Sequence, residues 1–317
     1  MSSNIKPLIT VAGALSKQGR SVVHALLESG RYRVRALTRG VDAPEAQSLA
    51  RQGAELMAVP LELGRKKELV SAFQGTLGAF LMTPPLVPPN SPETQIGKQQ
   101  ADAAVEAGVQ HVIFTSLENV DKITGGKKYA PHFTDKARVE EYIRTLPVTS
   151  SFVILAYFYT NFIEYYPPHW DGDTLVFPIY LPEDCRAPFV DPLTATGPAV
   201  LEMFNNPSKY AGQTLPVIGD MITPHQMVET FTRVTGKKAR YASAFKPEEF
   251  LHYFPHFAAL GEFVRESEGM VQYTAEYGYY RSDRDLQWSR RVNPRSATWE
   301  EFLRSTGWQG QGRSFGL

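Results

Sequence analysis

Three polar side chains in the middle of the chain are spaced for proton transfer. His132 and Lys136 stand four residues apart in a segment predicted to be helical, so their side chains share one helical face. An imidazole can give or take a proton near neutral pH, and Ser116 ends a predicted strand, where its hydroxyl can orient a substrate oxygen. We therefore expect these residues to be catalytic. The alternative is that His132 only caps or packs, whereas a binding role of Lys136 does not depend on catalysis.

A glycine-containing turn follows the first predicted strand and opens the first predicted helix. Gly13 and Gly19 stand where a dinucleotide-binding turn needs glycine, but Ser16 takes the place of the middle glycine. This serine either crowds the phosphates or donates a hydrogen bond to them. Because the N-terminus of such a helix favours an anion, we expect the pyrophosphate to contact Gly13, Ala14, Leu15, Ser16, Lys17, Gln18 and Gly19.

The end of the second predicted strand carries the residues that select the cofactor, Thr38 and Arg39. An acidic residue here would bind the ribose 2′-hydroxyl of NAD(H). A guanidinium instead forms paired hydrogen bonds with a phosphate. The sequence therefore favours NADP(H) as the cofactor. The alternative is that Arg39 is only solvated.

Short apolar segments alternate with amphipathic ones over the first 155 residues. This alternation predicts an α/β fold with a doubly wound parallel Rossmann sheet, and the length of 317 residues leaves room for a smaller C-terminal α+β domain. The nucleotide-binding domain is predicted at 1–155, completed by 186–220, and the smaller domain at 156–185 and 221–317. The predicted strands are 8–11, 34–38, 55–59, 78–82, 111–115 and 152–155, and the predicted helices are 18–29, 45–51, 66–73, 93–107 and 133–144.

Aromatic residues are dense immediately after the sixth predicted strand. They either pack a core between two lobes, which is the commoner role of aromatic residues, or line a flat hydrophobic substrate pocket. The residues concerned are Tyr157, Phe158, Tyr159, Phe162, Tyr165, Tyr166 and Trp170.

The composition limits the possible partners and locations. With 33 basic and 33 acidic residues the formal net charge is zero, so no global field attracts nucleic acid or an anionic membrane. No apolar run approaches the ~18 residues of a membrane span, and the single cysteine, Cys185, excludes an internal disulfide. We expect a cytoplasmic protein without a metal site. His252 and His256 are also four residues apart, but Pro255 interrupts the helix that would aim them at one ion.

Together these segments resemble the NmrA-like family of atypical short-chain dehydrogenases, particularly its NADPH-sensing members. The resemblance runs from the first strand to about residue 220 and more thinly over 245–303. It implies a Rossmann domain, a smaller C-terminal domain, and NADP(H) lying over the glycine turn in the cleft between them. The most specific stretches are QGRSV at 18–22, VRALTR at 34–39, SLENV at 116–120, and HFTDK at 132–136 followed by VEEY at 139–142.

The resemblance also implies roles for residues outside the turn. Arg39 matches an arginine at the 2′-phosphate and Lys136 a lysine near the nicotinamide ribose. Leu15 and Ser16 depart from the family's usual threonine and glycine, and Glu62 is displaced from the family's acidic residue near the adenine. The further implied cofactor contacts are Glu62, Thr83, Pro84, Ala156, Tyr157, Phe158 and Tyr159, and the substrate contacts are Tyr159, Asn161 and Phe162.

Two functions of different classes remain open at this stage. The first is an NADPH-dependent reductase of a small hydrophobic carbonyl, enone or imine, in which His132 donates the proton, Lys136 holds the ribose and Ser116 orients the substrate. The second is a non-catalytic NADP(H) sensor that regulates a protein partner, because His132 replaces the tyrosine that short-chain dehydrogenases place four residues before the lysine. A third possibility is that this chain is a pseudoenzyme that has lost the ability to bind the cofactor, because Leu15 and Ser16 replace the family's usual residues in the turn. Neither function specifies an oligomeric state.

Overall fold

Seven parallel strands form the central sheet of the computed structural model, which describes residues 6–84 and 92–313. The strands of the chain are β1 (Leu8–Val11), β2 (Arg33–Thr38), β3 (Glu55–Ala58), β4 (Gly78–Leu81), β5 (His111–Ser116), β6 (Thr149–Leu155), β7 (Tyr157–Phe158), β8 (His169–Asp171), β9 (Thr174–Ile179), β10 (Ala187–Val190), β11 (Thr214–Val217), β12 (Asp220–Ile222) and β13 (Ala239–Ser243). The order in the central sheet is β11-β6-β5-β4-β1-β2-β3. All its neighbouring strands pair in parallel.

Helices cover both faces of this sheet. Apolar residues of α1 (Lys17–Glu28), α2 (Pro44–Arg51) and α8 (Pro192–Asn205) pack on one face. Those of α3 (Lys66–Phe73), α4 (Glu93–Glu106) and α6 (Pro131–Ile143) pack on the other. The predicted doubly wound parallel α/β fold is therefore confirmed. The helices are α1 (Lys17–Glu28), α2 (Pro44–Arg51), α3 (Lys66–Phe73), α4 (Glu93–Glu106), α5 (Val120–Thr124), α6 (Pro131–Ile143), α7 (Asn161–Glu164), α8 (Pro192–Asn205), α9 (Pro207–Tyr210), α10 (Pro224–Thr235), α11 (Pro247–Tyr253), α12 (Gly261–Tyr277), α13 (Trp288–Val292) and α14 (Trp299–Thr306), with a 3-10 helix at Pro255–Ala259.

The strand order creates a crevice at the carboxyl ends of the central strands. β1 lies between β4 and β2, so the connections from β1 and from β4 lead to opposite faces. Ligands of open α/β sheets bind beside the carboxyl ends of the strands at such a switch point. The glycine turn follows β1, Thr83 follows β4, and Ser116 ends β5. The fold thus gathers most of the predicted site residues at this edge.

A second lobe is built from two small sheets and the C-terminal helices. One sheet has the order β12-β10-β7 and the other β13-β9-β8. Their shared core is rich in aromatic rings and includes the fully buried side chains of Tyr159, Phe162 and Trp299. The two-domain boundaries predicted from the sequence remain a prediction, but β11 and α8 both pack within the Rossmann sheet layers.

The predicted strands match the observed ones to within about three residues, and β6 shows why the largest difference arises. It begins at Thr149 rather than at 152, and its first residues include the buried serines Ser150 and Ser151. The Ser151 hydroxyl contacts His111 Nε2 at 2.9 Å and donates to the Tyr210 carbonyl at 2.9 Å. Polar residues that are satisfied inside the core hide a strand from a search for apolar runs. Over the described ranges, every helix is too short or too polar to cross a bilayer.

Candidate functional site

The glycine turn between β1 and α1 has the tight geometry that its sequence predicts. Gly13 has a φ of +62°, and a Cβ on it would lie 2.5 Å from the sulfur of Met82. A Cβ on Gly19 would lie 2.2 Å from the carbonyl oxygen of Gly13. The amide of Ala14 donates to the Leu37 carbonyl at 3.0 Å, which fixes the turn against β2. Only glycine fits at the two outer positions of the turn.

Ser16 acts as the N-cap of α1. Its hydroxyl accepts a hydrogen bond from the amide of Gly19 at 3.0 Å and donates one to the Met82 sulfur at 3.2 Å. The serine that replaces the middle glycine thus stabilises the helix start, a role that neither sequence-based alternative included. Leu15 is half-buried against the core of the α1 face. The side-chain oxygen of Gln18 is buried without a hydrogen-bond partner in the described part of the chain.

Lys17 reaches across from the turn to the second lobe. Its ammonium forms a buried ion pair with Glu164, the last residue of α7, with the two side chains 7% and 8% exposed. The same ammonium lies 5.6 Å from the centre of the Tyr165 ring. We call this contact the Lys17–Glu164 bridge. The sequence placed Lys17 at the phosphates but gave no sign of its partner.

Thr38 and Arg39, which the sequence predicts to select the cofactor, lie at the end of β2. Thr38 donates a hydrogen bond to the Gly40 carbonyl at 2.8 Å. Arg39 is exposed and has no hydrogen bond or ion pair to any residue that the structure describes. Glu62 is exposed as well, and its carbonyl accepts a hydrogen bond from Gln99 at 2.7 Å. The guanidinium of Arg39 is therefore available to a ligand anion.

Lys136 lies in a polar cluster with Thr83 and Glu93. Its ammonium donates to the Thr83 hydroxyl at 2.6 Å and to a Glu93 carboxylate oxygen, and Thr83 donates to that same oxygen. Glu93 begins α4 and is only 1% exposed, whereas Pro84, after Thr83, is half-buried. The structure thus brings together Lys136 and Thr83 as the sequence predicted. Glu93 was missed.

His132, at the start of α6, is held by a carboxylate from the second lobe. A carboxylate oxygen of Glu266 in α12 contacts His132 Nδ1 at 2.5 Å. The same oxygen accepts a hydrogen bond from the backbone amide of His132 at 2.7 Å. Glu266 is 6% exposed and His132 31% exposed. A Cβ on Gly269 would lie 2.0 Å from the Tyr129 carbonyl oxygen, so only glycine lets α12 approach closely enough for this pair. Sequence reasoning missed Glu266.

Ser116 is buried at the end of β5, and its hydroxyl donates to the Leu117 carbonyl at 3.3 Å. Within the described chain, this backbone acceptor is the hydroxyl's recorded partner. The structure therefore places Ser116 at the sheet edge where it was expected, with its hydroxyl turned to the chain itself.

The residues that follow β6 differ in how deeply their side chains are buried. Ala156 and Tyr157 are buried, and the Tyr157 hydroxyl contacts Thr274 at 2.7 Å. Burial raises the pKa of Tyr157 above its ordinary value. Tyr159 stacks on Phe189, and Phe162 is also fully buried in the second-lobe core. Phe158 and Asn161 are half-buried, so they are the more accessible members of the group that the sequence assigned to cofactor and substrate.

The structure also places His252 and His256, the two histidines that are four residues apart in the sequence. His252 lies in α11 and His256 in the 3-10 helix, so the proline between them separates the two elements as expected. Among the described residues, no group of three or more histidine, cysteine, aspartate or glutamate side chains could hold a metal ion.

The sequence of this chain matches the model of one protein family, the NmrA-like family, over residues 5–303. The chain belongs to the NmrA-like family. The resemblance inferred from its motifs is therefore confirmed. Two fungal relatives are similar to this NmrA-like chain over most of their length. The oxidoreductase malD of Malbranchea aurantiaca is 34% identical over 254 residues, covering 74% of this chain and 75% of malD. The oxidoreductase FrzB of Cladobotryum sp. is 31% identical over 262 residues, with 74% and 75% covered.

Solved structures share the fold of this NmrA-like chain. NmrA, a negative transcriptional regulator solved in complex with NADP, superposes with a TM-score of 0.75 at 23% identity, covering 94% of each chain. The triphenylmethane reductase of Citrobacter sp., complexed with NADP(H), superposes with a TM-score of 0.73 at 17% identity, covering 94% of this chain and 99% of that one. One neighbour is thus a regulator and the other an enzyme.

Proposed function

We propose that this chain is an NADP(H)-dependent oxidoreductase that reduces a small hydrophobic carbonyl, enone or imine. The observation that carries the proposal is the arrangement on α6, where His132 rests on the buried carboxylate of Glu266 and Lys136, one turn later, joins Thr83 and Glu93. A histidine oriented by a carboxylate is a common proton donor. The family relatives named as oxidoreductases, and the NADP(H)-bound neighbours, support the same chemistry.

The residues of the turn fit a phosphorylated dinucleotide. Gly13 and Gly19 let the turn close tightly against Met82 and against its own backbone, and the buried oxygen of Gln18 can accept a hydrogen bond from a ligand hydroxyl or amide. Arg39 offers a guanidinium for a 2′-phosphate. We assign the amides at the start of α1 to the pyrophosphate, Arg39 to the 2′-phosphate and Lys136 to the nicotinamide ribose.

The chain itself supplies the proton and the orientation. When bound, NADPH supplies the hydride. We assign Nδ1–H of His132 to the Glu266 carboxylate, which leaves Nε2 as the atom that gives its proton to the substrate. As the substrate carbon gains hydride, His132 donates that proton to the substrate oxygen or nitrogen and becomes neutral. Glu93 positions the Lys136 ammonium beside the ribose.

Turnover of cofactor by matched variants tests this proposal. Purified protein is mixed with NADPH and aromatic or conjugated aldehydes, enones and imines, and the loss of cofactor absorbance is followed by stopped flow. We expect His132→Ala to lower kcat/KM about 100-fold and Glu266→Gln about tenfold, because the donor or its orientation is lost. The control is Glu268→Gln, which removes a nearby carboxylate from the same helix. Oxidation of NADPH by none of these substrates would reject the enzyme, and wild-type rates for His132→Ala would reject His132 as its proton donor.

A second candidate is a regulator that senses the NADPH/NADP⁺ ratio. Two observations favour it: the Lys17–Glu164 bridge joins the glycine turn to the second lobe, and Tyr157, Tyr159 and Phe162 are buried in a core. Gel filtration and pull-down with saturating NADPH, NADP⁺ or no cofactor discriminate the two candidates. The sensor is supported by a cofactor-dependent change of partner or oligomeric state, and rejected when neither changes.

A further inference from the structure

The Lys17–Glu164 bridge lies at the start of the helix that the proposed function assigns to the pyrophosphate. Lys17 is the first residue of α1 and follows the Ser16 cap directly. Its side chain is 7% exposed and points to Glu164 rather than to solvent. A buried ammonium next to the proposed phosphate position is a natural phosphate contact. In the cofactor-free chain, the Glu164 carboxylate pairs with this ammonium instead.

The field of Glu164 extends to a second cation on the same helix. Arg20 lies three residues after Lys17, so the two side chains project from neighbouring positions of α1. Burial lowers the pKa of Arg20, and the nearby carboxylate of Glu164 raises it. Glu164 is itself only 8% exposed, so water screens its charge weakly. The carboxylate therefore contributes negative charge to a region with two basic side chains.

We propose that Glu164 is an affinity-determining residue of the dinucleotide site, whose carboxylate takes the place of a cofactor phosphate on Lys17 while the site is free. This inference rests on the proposed function, because it assumes that NADP(H) binds over the glycine turn. A phosphate and the Glu164 carboxylate carry charge of the same sign and compete for one ammonium. Cofactor binding must then release Glu164 or accept its repulsion.

The competition has a direction that a merely structural contact lacks. When Glu164 is neutralised, Lys17 is freed for the phosphate and a repulsive charge is removed, so cofactor affinity rises. When Lys17 is neutralised, the phosphate loses a cation while the repulsive charge of Glu164 remains, so affinity falls. A contact that only holds the lobes together predicts a loss, or no change, for both substitutions.

Calorimetric titration of the full chain with NADPH and NADP⁺ measures this difference in sign. We expect Glu164→Gln to lower the Kd roughly tenfold and Lys17→Met to raise it by a similar factor. The double variant should bind more tightly than Lys17→Met and more weakly than Glu164→Gln, since the repulsive charge is removed but the cation of Lys17 is lost as well. Glu28→Gln is the matched control, because it removes an exposed carboxylate from the other end of α1 and should leave the Kd unchanged.

Each outcome bears on a different claim. Weaker or unchanged binding by folded Glu164→Gln overturns the inference while leaving the proposed cofactor intact. Should this variant fail to fold, Glu164→Ala removes the same charge, and a Kd at or above the wild-type value in that protein equally overturns it. If the wild-type chain binds neither NADPH nor NADP⁺, the proposed function itself fails. A lowered Kd in Glu164→Gln with a raised Kd in Lys17→Met supports the inference.

Discussion

At the scale of single residues, three basic side chains of the candidate site each contact a buried or nearly buried carboxylate. These contacts hold the basic groups in defined positions, and they also reduce the positive charge that a cofactor meets. Arg39 differs, because it is exposed and has no acidic partner among residues 6–84 and 92–313. The three contacts are Lys17–Glu164, Lys136–Glu93 and His132–Glu266.

The isolated position of Arg39 leads to a prediction about cofactor choice. We expect Arg39→Ala to weaken NADPH binding roughly tenfold or more while changing NADH binding less than about twofold, because only NADPH offers a phosphate to the guanidinium. Parallel titrations with both cofactors measure the ratio. The control is Arg31→Ala, an exposed arginine of the preceding loop. Equal losses for both cofactors would contradict the assignment of Arg39.

The sequence revealed the basic members of these contacts but not the acidic ones. His132 and Lys136 could be predicted because a helical spacing of four residues is local. Their partners are 134 and 43 residues away in the sequence, and Glu164 is 147 residues from Lys17. Such contacts depend on how α4 packs beside α6 and on how α7 and α12 pack against the Rossmann lobe, and no periodicity of the chain encodes that packing.

At the scale of elements, the interior of the sheet contains a histidine at the start of β5. His111 is 5% exposed, contacts the Ser151 hydroxyl through Nε2, and packs edge-on against Phe204. Burial lowers the pKa of His111 from 6.5 to about 4. The folded chain therefore keeps this imidazole neutral at pH values where an unfolded chain would protonate it.

This buried imidazole makes the stability of the sheet depend on pH. Because the folded pKa is about 4 and the ordinary value is 6.5, the unfolded chain binds more protons between these values. His111 therefore has no effect on the pH dependence of the free energy of unfolding above pH 6.5. As the pH falls toward 4, this residue lowers the free energy of unfolding by up to about 1.4 kcal/mol per pH unit. Urea unfolding at several pH values should show a shallower loss for His111→Gln than for the wild-type chain. Identical slopes for the two proteins would contradict this origin.

Most elements of the Rossmann lobe could be predicted because most of its strands bury a short apolar run and its crossover helices have an apolar face. The second lobe could not be predicted in the same detail. Its strands β7, β8 and β12 have only two or three residues, and β7 and β12 both pair with β10, which is distant from each of them in the chain. A period of two residues cannot be recognised over so short a length.

At the scale of the whole molecule, a segment after α12 crosses back onto the Rossmann lobe. Arg284 forms two hydrogen bonds with the Glu118 carboxylate, at 2.7 and 2.9 Å, and the side chains are 13% and 3% exposed. The hydroxyl of Tyr279 donates to the Leu155 carbonyl at 2.7 Å. These contacts connect the C-terminal lobe to the ends of the central strands.

Removal of one partner of this buried ion pair should destabilise the entire chain. We expect Arg284→Ala to lower the free energy of unfolding by about 3 kcal/mol, because Glu118 is left buried and without its guanidinium. Arg281→Ala is the matched control: its ion pair with Asp283 is exposed, so the change should stay below about 1 kcal/mol. Chemical denaturation of both variants provides the comparison, and equal losses would argue against a special role for the buried pair.

The position of β11 at the edge of the central sheet has a consequence for the order of folding. This strand pairs with β6, yet it enters the chain only after the excursion through β7 to β10 and α8. A nascent chain that has emerged only as far as β6 therefore exposes the backbone amides and carbonyls of that strand to other unfinished chains. Closure of the central sheet must await synthesis of residue 217, so strands β7 to β10 of the second lobe are made before the sheet is complete.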